Sequence, residues 1–440
     1  MKHYKLKTGK GELNSTSGNH LCGLVLGNLP KATLPPNFQP RRSDAISDRD
    51  ILLSQIGLLC NGRNDFNDIV LYRKDEIFMN AYGLKAIASE SVFRQRFDDL
   101  PANKTHAALR KLNTGLLARR TFGRVDADGL KLVPVDMDVS PLDNSGSVKQ
   151  GVSFTYKKHD GYAPMFAYIG TEGYMLDCEL RPGKQHCQSG TPDSIRRCVA
   201  MLKTIGLAGQ CLFRLDSGND AAENLDLFGS NYFLIKRNLR KESREQWLAL
   251  ARRVGDKQES RDGKNIYTGF VDHLHPGGDE SRPAVSAVFE VVERLRDIHG
   301  YELLIPEIEV NMWWTNLPCS AETAIGLYHD HGTSEQFHSE LKSDLDVERL
   351  PSGKLCANKI ILLCAMVAFN LLRTLGQEVV KRKAIAPQRI NAKRWRLKTV
   401  LQNIIYCAVR LVRHAGGIEL HFGKRCPWFD VIRDIASSYA

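Results

Sequence analysis

Residues 130–140 read LKLVPVDMDVS, an apolar, valine-rich run that predicts a strand. Asp136 and Asp138 alternate along it, so both carboxylates project from the same face. Further strands are expected at GVSFTY (151–156), APMFAYIG (163–170) and YMLDCEL (174–180). TPDSIRRCVAMLKTIG (191–206) predicts a helix, with Thr191 as its cap and Pro192 in its first turn. Strands at QCLFRLDSG (210–218) and NYFLIKRN (231–238) follow. A run of strands, then helix, strand, link and strand predicts an antiparallel meander leading into a sheet-and-helix sandwich of the α/β (α+β) class.

Outward from this core, residues 239–308 read as an insertion: a charged helix, a polar loop and strand-like pieces. VNMWWTNL (310–317) returns to the core as a strand that places Trp313 and Trp314 on opposite faces. One is expected in the core, and the other is a candidate to stack on an unpaired base. Two long helices, over about 328–349 and 355–375, close the core. On the N-terminal side, residues 1–45 read as a loosely ordered arm. Helices are expected from Ser47, near 68–79, from Ser89 or Ser91, and over 106–120. Arg94 and Arg96 would sit on the third, which permits a helix-turn-helix-like reader. At the other end a helix is expected over 396–414, with Leu397, Val400, Leu401, Ile404, Ile405, Ala408, Leu411 and Val412 forming its apolar stripe. The expected partition is 1–120 for the arm and helical DNA-binding region, 125–238 with 309–375 for the core, 239–308 for the insertion, and 376–440 for a basic DNA-binding and dimerisation region.

The chain has 440 residues, a net charge of +11 and 42% hydrophobic residues. Between Lys381 and Arg425 stand twelve Lys and Arg against one acid, Glu419. Basic flanks around a near-neutral middle point to a polyanion partner, with Lys393, Arg394, Arg396 and Lys398 as candidate phosphate contacts. The eleven cysteines are scattered, odd in number and lack a CxxC pair, which suits buried thiols in the cytoplasm. Residues 1–15 hold no apolar stretch that would make a signal peptide. The apolar run 360–372 is too short to span a bilayer and predicts a buried helix, so no membrane partner is expected.

Asp216 ends an apolar strand, where a lone charge is costly unless it is paired or binds a cation. Tyr328, Glu335 and Lys342 are spaced by seven, about two helical turns, and would form one row. Two Asp from neighbouring strands and a Glu from a helix make an oxygen-only ligand set suited to Mg²⁺. Two ions about 3.5–4 Å apart support phosphodiester hydrolysis and strand transfer.

YHDHGTSEQFHSELK (328–342) has the spacing of a Tyr-x2-Arg-x3-Glu-x6-Lys signature, filled here by Tyr328, His331, Glu335 and Lys342. With DMDVSPLDNSGSVKQGVSFTYKKHDGYAPMFAYIG, LRPGK and FRLDSGND, it resembles the DDE transposases of bacterial insertion sequences over roughly residues 45–430. The resemblance implies an RNase H-like catalytic core with a β-rich insertion before the last acid. It implies Asp138, Asp216 and Glu335 as catalytic metal ligands, with Asp136 an alternative to Asp138; Asp138 is preferred because D-x-S resembles the family's first motif. Tyr328, His331 and Lys342 would complete the catalytic set, Tyr328 and Lys342 reaching phosphates at the strand end. It further implies two Mg²⁺ ions, for which Mn²⁺ can substitute. The implied partners are double-stranded DNA of the element's ends and of the target, and a second copy of the chain in a homodimer. The implied activity is cut-and-paste transposition from terminal inverted repeats in a bacterial cytoplasm. His331 departs from the family's arginine and keeps open a catalytically inactive DNA-binding descendant; another RNase H-like nuclease is the third reading.

Overall fold

The computed structural model describes residues 11–39, 46–415 and 417–439. They form two compact units, one drawn from 1–116, 148–150 and 339–440, the other from 117–147 and 151–338.

The second unit is built on β1 (Leu130–Val139), β2 (Met165–Ile169), β3 (Tyr174–Glu179), α1 (Thr191–Thr204), β4 (Cys211–Leu215) and β5 (Tyr232–Arg237). Their sheet order is β3-β2-β1-β4-β5. β2 runs antiparallel to both neighbours, while β1, β4 and β5 are mutually parallel. This is the RNase H-like arrangement that the resemblance implies. GVSFTY is a departure. Only Ser153–Phe154 is extended, and it pairs with Asp160–Tyr162, which pairs in turn with Leu142–Asp143 in a separate three-stranded sheet.

Alternation along the strands makes two cores. Val133, Val135, Met137, Phe213 and Leu215 face one way, against Ile195, Cys198 and Leu202 of α1. Leu132, Leu212, Leu234 and Trp313 face the other, against Ala324, Ile325 and Leu327 of α3 (Ala321–His329). Asp136, Asp138, Arg214 and Asp216 occupy even positions with this second set, so the sheet delivers them to the α3 face.

The insertion joins the same sheet. After α2 (Arg244–Val254) come β6 (Asp256–Arg261), β7 (Lys264–Leu274), β8 (Val285–Arg296) and β9 (Glu302–Thr315), which continue the order as β5-β9-β8-β7-β6. Trp313 and Trp314 do face opposite ways, but both are buried, one in each core. Neither ring is open to a base, which corrects the stacking expectation.

The expected helix over 328–349 is broken. α3 ends at His329, a 3₁₀ turn spans Asp330–Thr333, α4 spans Ser334–Ser339, and a π turn spans Glu340–Asp344. Each change of winding alters the residues per turn, so spacing by seven no longer stacks Tyr328, Glu335 and Lys342. Lys342 falls in the first unit.

That first unit is helical. Ser47 caps Asp48–Leu59, its side chain accepting from the Asp50 amide, and Ser89 caps Glu90–Asp99. Leu355–Lys381 is a 27-residue helix, buried from Ile360 through Leu372. The arm expectation needs correction where the chain is described: Asn19–Gly27 is a helix that buries Leu21, Cys22, Val25 and Leu26. Gly23 permits this, because a Cβ there would meet the Ala81 backbone at 2.5 Å. The arm's remainder, 1–10 and 40–45, lies outside the described residues. The expected C-terminal helix is also wrong. Leu397–Val400 and Leu401–Ile405 wind, but Val409–His414 is a strand paired with Gly417–Phe422. The stripe holds to Ile405; beyond it Leu411 packs opposite Leu420 across a hairpin.

Gly173 sits at φ +69°, and a Cβ there would lie 2.2 Å from the Phe337 ring. Gly173→Ala is expected to lower unfolding free energy by more than about 1 kcal/mol, measured by urea denaturation.

Candidate active site

The parallel pairing of β1 with β4 sets Asp136 opposite Arg214 and Met137 opposite Leu215. One step further, Asp138 and Asp216 leave the ends of neighbouring strands side by side.

Asp136 is fully engaged. Arg214 grips it through two hydrogen bonds of 2.6 and 2.8 Å, and His331 Nδ1 lies 2.9 Å from the first of these oxygens. Arg214 also donates to the Leu327 carbonyl at 2.6 Å. Burial alone would raise the Asp136 carboxyl; Arg214 and His331 outweigh it and hold the group below its usual range. With its lone pairs committed, Asp136 is a structural anion, and the open choice at the first acid moves toward Asp138.

Asp138 is half-buried, with His338 Nε2 3.5 Å from Oδ2. Burial pushes its carboxyl up, but His338, followed by His331, brings it below normal. His338 is itself packed against Phe166 and Tyr168, with ring centres 5.3 and 5.2 Å away. Asp216 goes the other way. Burial and then the Asp138 charge raise it, against the Asn219 amide, which donates to it at 2.5 Å.

Glu335 stands exposed in the first turn of α4. It shares one neighbour with the two aspartates: burial and then Asp138, Asp216, Cys187 and Glu335 all push the Tyr156 phenol up. Tyr328, at the end of α3, is pushed up by burial and by Asp216 and Asp138. Its ring centre lies 5.3 Å from Trp313 and 5.8 Å from His331.

Asp138 and Asp216 suit a hard divalent cation: they follow matched positions of neighbouring strands, and the second carries a like-charge penalty that a cation removes. Among the described residues no three His, Cys, Asp or Glu side chains converge on one point, so Glu335 stands outside a closed ligand set. A site of two carboxylates leaves positions for water and phosphate oxygens.

The model of the family described as "Transposase DDE domain group 1" matches residues 33–439. The chain belongs to this DDE transposase family. The cryo-EM structure of a piggyBac transposase synaptic complex with hairpin DNA is similar, with 10% identity and a TM-score of 0.42, covering 89% of this chain and 80% of that one. No curated protein matches the sequence.

The transposase fold thus brings together Asp138, Asp216, Tyr328 and His331, with Glu335 at the margin. Of the four basic residues proposed for DNA, Arg394 is paired with Glu340 and Arg396 with Asp344 at 2.9 Å; Lys393 and Lys398 are exposed. Arg214 and Tyr156 escaped the sequence reading, as did the contact of His338 with Asp138. Arg214 had a signal: an arginine at an inward position of an apolar strand, two residues before Asp216.

Arg214→Leu strands Asp136 without its main partner and is expected to cost about 3–5 kcal/mol in urea unfolding. Asp136→Leu combined with Arg214→Leu is expected to recover most of that loss.

Proposed function

We propose that this transposase binds the terminal inverted repeats of an insertion sequence and cuts and joins DNA there by a cut-and-paste route. The observation that supports this most strongly is the pair of aspartates, Asp138 and Asp216, at neighbouring ends of two parallel strands, where the charge of one bears on the other. Asp136, one turn of the pleat away, has its own arginine, so the charge without an arginine partner belongs to the other two, both half-buried.

In this reading Asp138 and Asp216, with Glu335 as the third acid, would hold Mg²⁺, or Mn²⁺ in its place. Bound divalent ions supply activation of water or a 3′-OH and stabilisation of the leaving oxygen. Tyr328 and His331 lie beside the aspartates and orient the scissile phosphate by hydrogen bonding. Asp136 fixes the His331 ring through Nδ1 and leaves the other nitrogen for this task. Lys342, Lys393 and Lys398 contribute contacts to the DNA backbone. Two ends must be held together, so a homodimer is the working assembly, in the bacterial cytoplasm.

His331 in place of an arginine is the observation that favours a second reading, a DNA-binding descendant without catalysis. Incubation with DNA carrying the element's ends, with and without Mg²⁺, separates the two. The transposase reading expects metal-dependent cleavage at the ends, and binding without cleavage supports the other. Asp138→Ala, Asp216→Ala and Glu335→Ala are each expected to reduce cleavage to background while end binding, measured by gel shift, stays near the parent's. Retained cleavage in any of the three removes that residue from the site.

A further inference from the structure

The loop between β1 and β2 carries a feature the acids do not explain. Phe154 and Tyr156 are 63% and 62% exposed, and Lys157 and Lys158 beside them are exposed as well. Neither lysine is paired with a carboxylate among the described residues. Two open aromatic rings and two ammonium groups without a carboxylate partner stand within five residues of one another.

The loop is held firmly. Thr155 is buried, its amide and hydroxyl both donating to the His159 carbonyl at 2.9 and 2.8 Å, and the Lys158 amide donates back to Thr155 at 3.0 Å. Lys158 takes φ +63° to close this turn. Ser153–Phe154 pairs with Asp160–Tyr162 beneath it. The Tyr156 hydroxyl donates to the Val139 carbonyl at 2.7 Å, which fixes the ring next to Asp138. Asp138, Asp216 and Glu335 all bear on this phenol. Their negative charge would repel a phosphate approaching alone, and the lysines offset that repulsion.

Resting on the proposed function above, we infer that residues 154–158 are a strand-gripping finger: Tyr156 stacks on an unpaired base of the DNA at the acids, and Lys157 and Lys158 take the phosphates on either side. Bases inside a duplex hide their faces, so an exposed ring flanked by lysines fits an unpaired segment. Stacking on the pinned ring sets the register of the strand, and the neighbouring phosphate then falls at the carboxylates.

The test uses the full chain in Ca²⁺ and two fluorescein-labelled DNA probes of the same arbitrary sequence, a blunt duplex and a duplex with an unpaired 3′ overhang. Fluorescence anisotropy gives the affinities over a salt series. The parent is expected to prefer the overhang. Tyr156→Ala is expected to lose that preference, by roughly tenfold in affinity for the overhang probe, while Tyr156→Phe, which keeps the ring, retains it. Lys157→Ala with Lys158→Gly, the glycine preserving the positive φ, is expected to weaken both probes and flatten the log–log salt slope by roughly 0.9 per lost contact. An overhang preference unchanged in Tyr156→Ala, or an unchanged slope in the double variant, with parental near-ultraviolet dichroism, overturns the inference while leaving the proposed function standing. A parent chain that binds neither probe also overturns the inference, whereas the proposed function falls only if DNA carrying the element's ends is neither bound nor cut.

Discussion

The register between β1 and β4 is the constraint on which the site depends. Parallel neighbours lie about 4.8 Å apart, so whatever stands at matched positions must interact. At one matched position the pair is Asp136 and Arg214, opposite in charge and fully buried. At the next position of the same face the chain places Asp138 and Asp216, alike in charge and partly open. The first pair is a satisfied interior contact. The second is a repulsion that folding must tolerate, and burial of the whole strand ends makes it larger. A ladder slipped by one residue would turn the acids into the apolar core with α1, so the register is enforced by hydrophobic burial on both faces.

The Asp136–Arg214 pair also bears on the departure at position 331. Asp136 accepts from Arg214 through both oxygens and still has capacity on one of them, which His331 fills. An arginine at 331 would bring a second permanent cation against Arg214 around one carboxylate. An imidazole satisfies the same oxygen without a fixed charge, and Asp136 selects which ring nitrogen faces it. The histidine therefore belongs to a network that already holds a guanidinium, supplied from β4. In charge and hydrogen bonding the site has a permanent cation beside its acids, placed in the second row rather than the first.

Much of this was legible in the sequence, and the failures have physical causes. Buried strands announce themselves because apolar runs of five or six residues have few alternatives, and β1 through β5 stand where those runs are. The acids were legible because a carboxylate at the end of an apolar strand is costly without a purpose. The helix over 328–349 was not, because spacing alone cannot show that Asp330–Thr333 tightens and Glu340–Asp344 loosens the winding. The C-terminal hairpin was missed because Leu411 and Val412 satisfy a helical stripe and a strand equally well. Arg394 and Arg396 looked like free charge because their acids, Glu340 and Asp344, stand more than fifty residues earlier in the chain. Composition counts charges; only the fold shows which are already spent on each other.

That distinction bears on how a basic protein can carry an acidic site. The +11 excess is a property of the whole chain, and a polyanion feels the field of cations that are free to face it. Arg214, Arg394 and Arg396 are tied to carboxylates, so they add little to that field. Unpaired lysines such as Lys157 and Lys158 contribute in full, and they stand on the loop that leads directly out of β1 past Asp138. A phosphate backbone drawn to such a loop arrives beside the two aspartates with its charge already partly compensated. Asp138 and Asp216 can then keep their oxygens available as ligands, while attraction for the strand is delegated to Lys157 and Lys158, further along the same loop. Separating the two tasks along one loop lets a fold that must repel phosphate at its centre still bring phosphate to its edge.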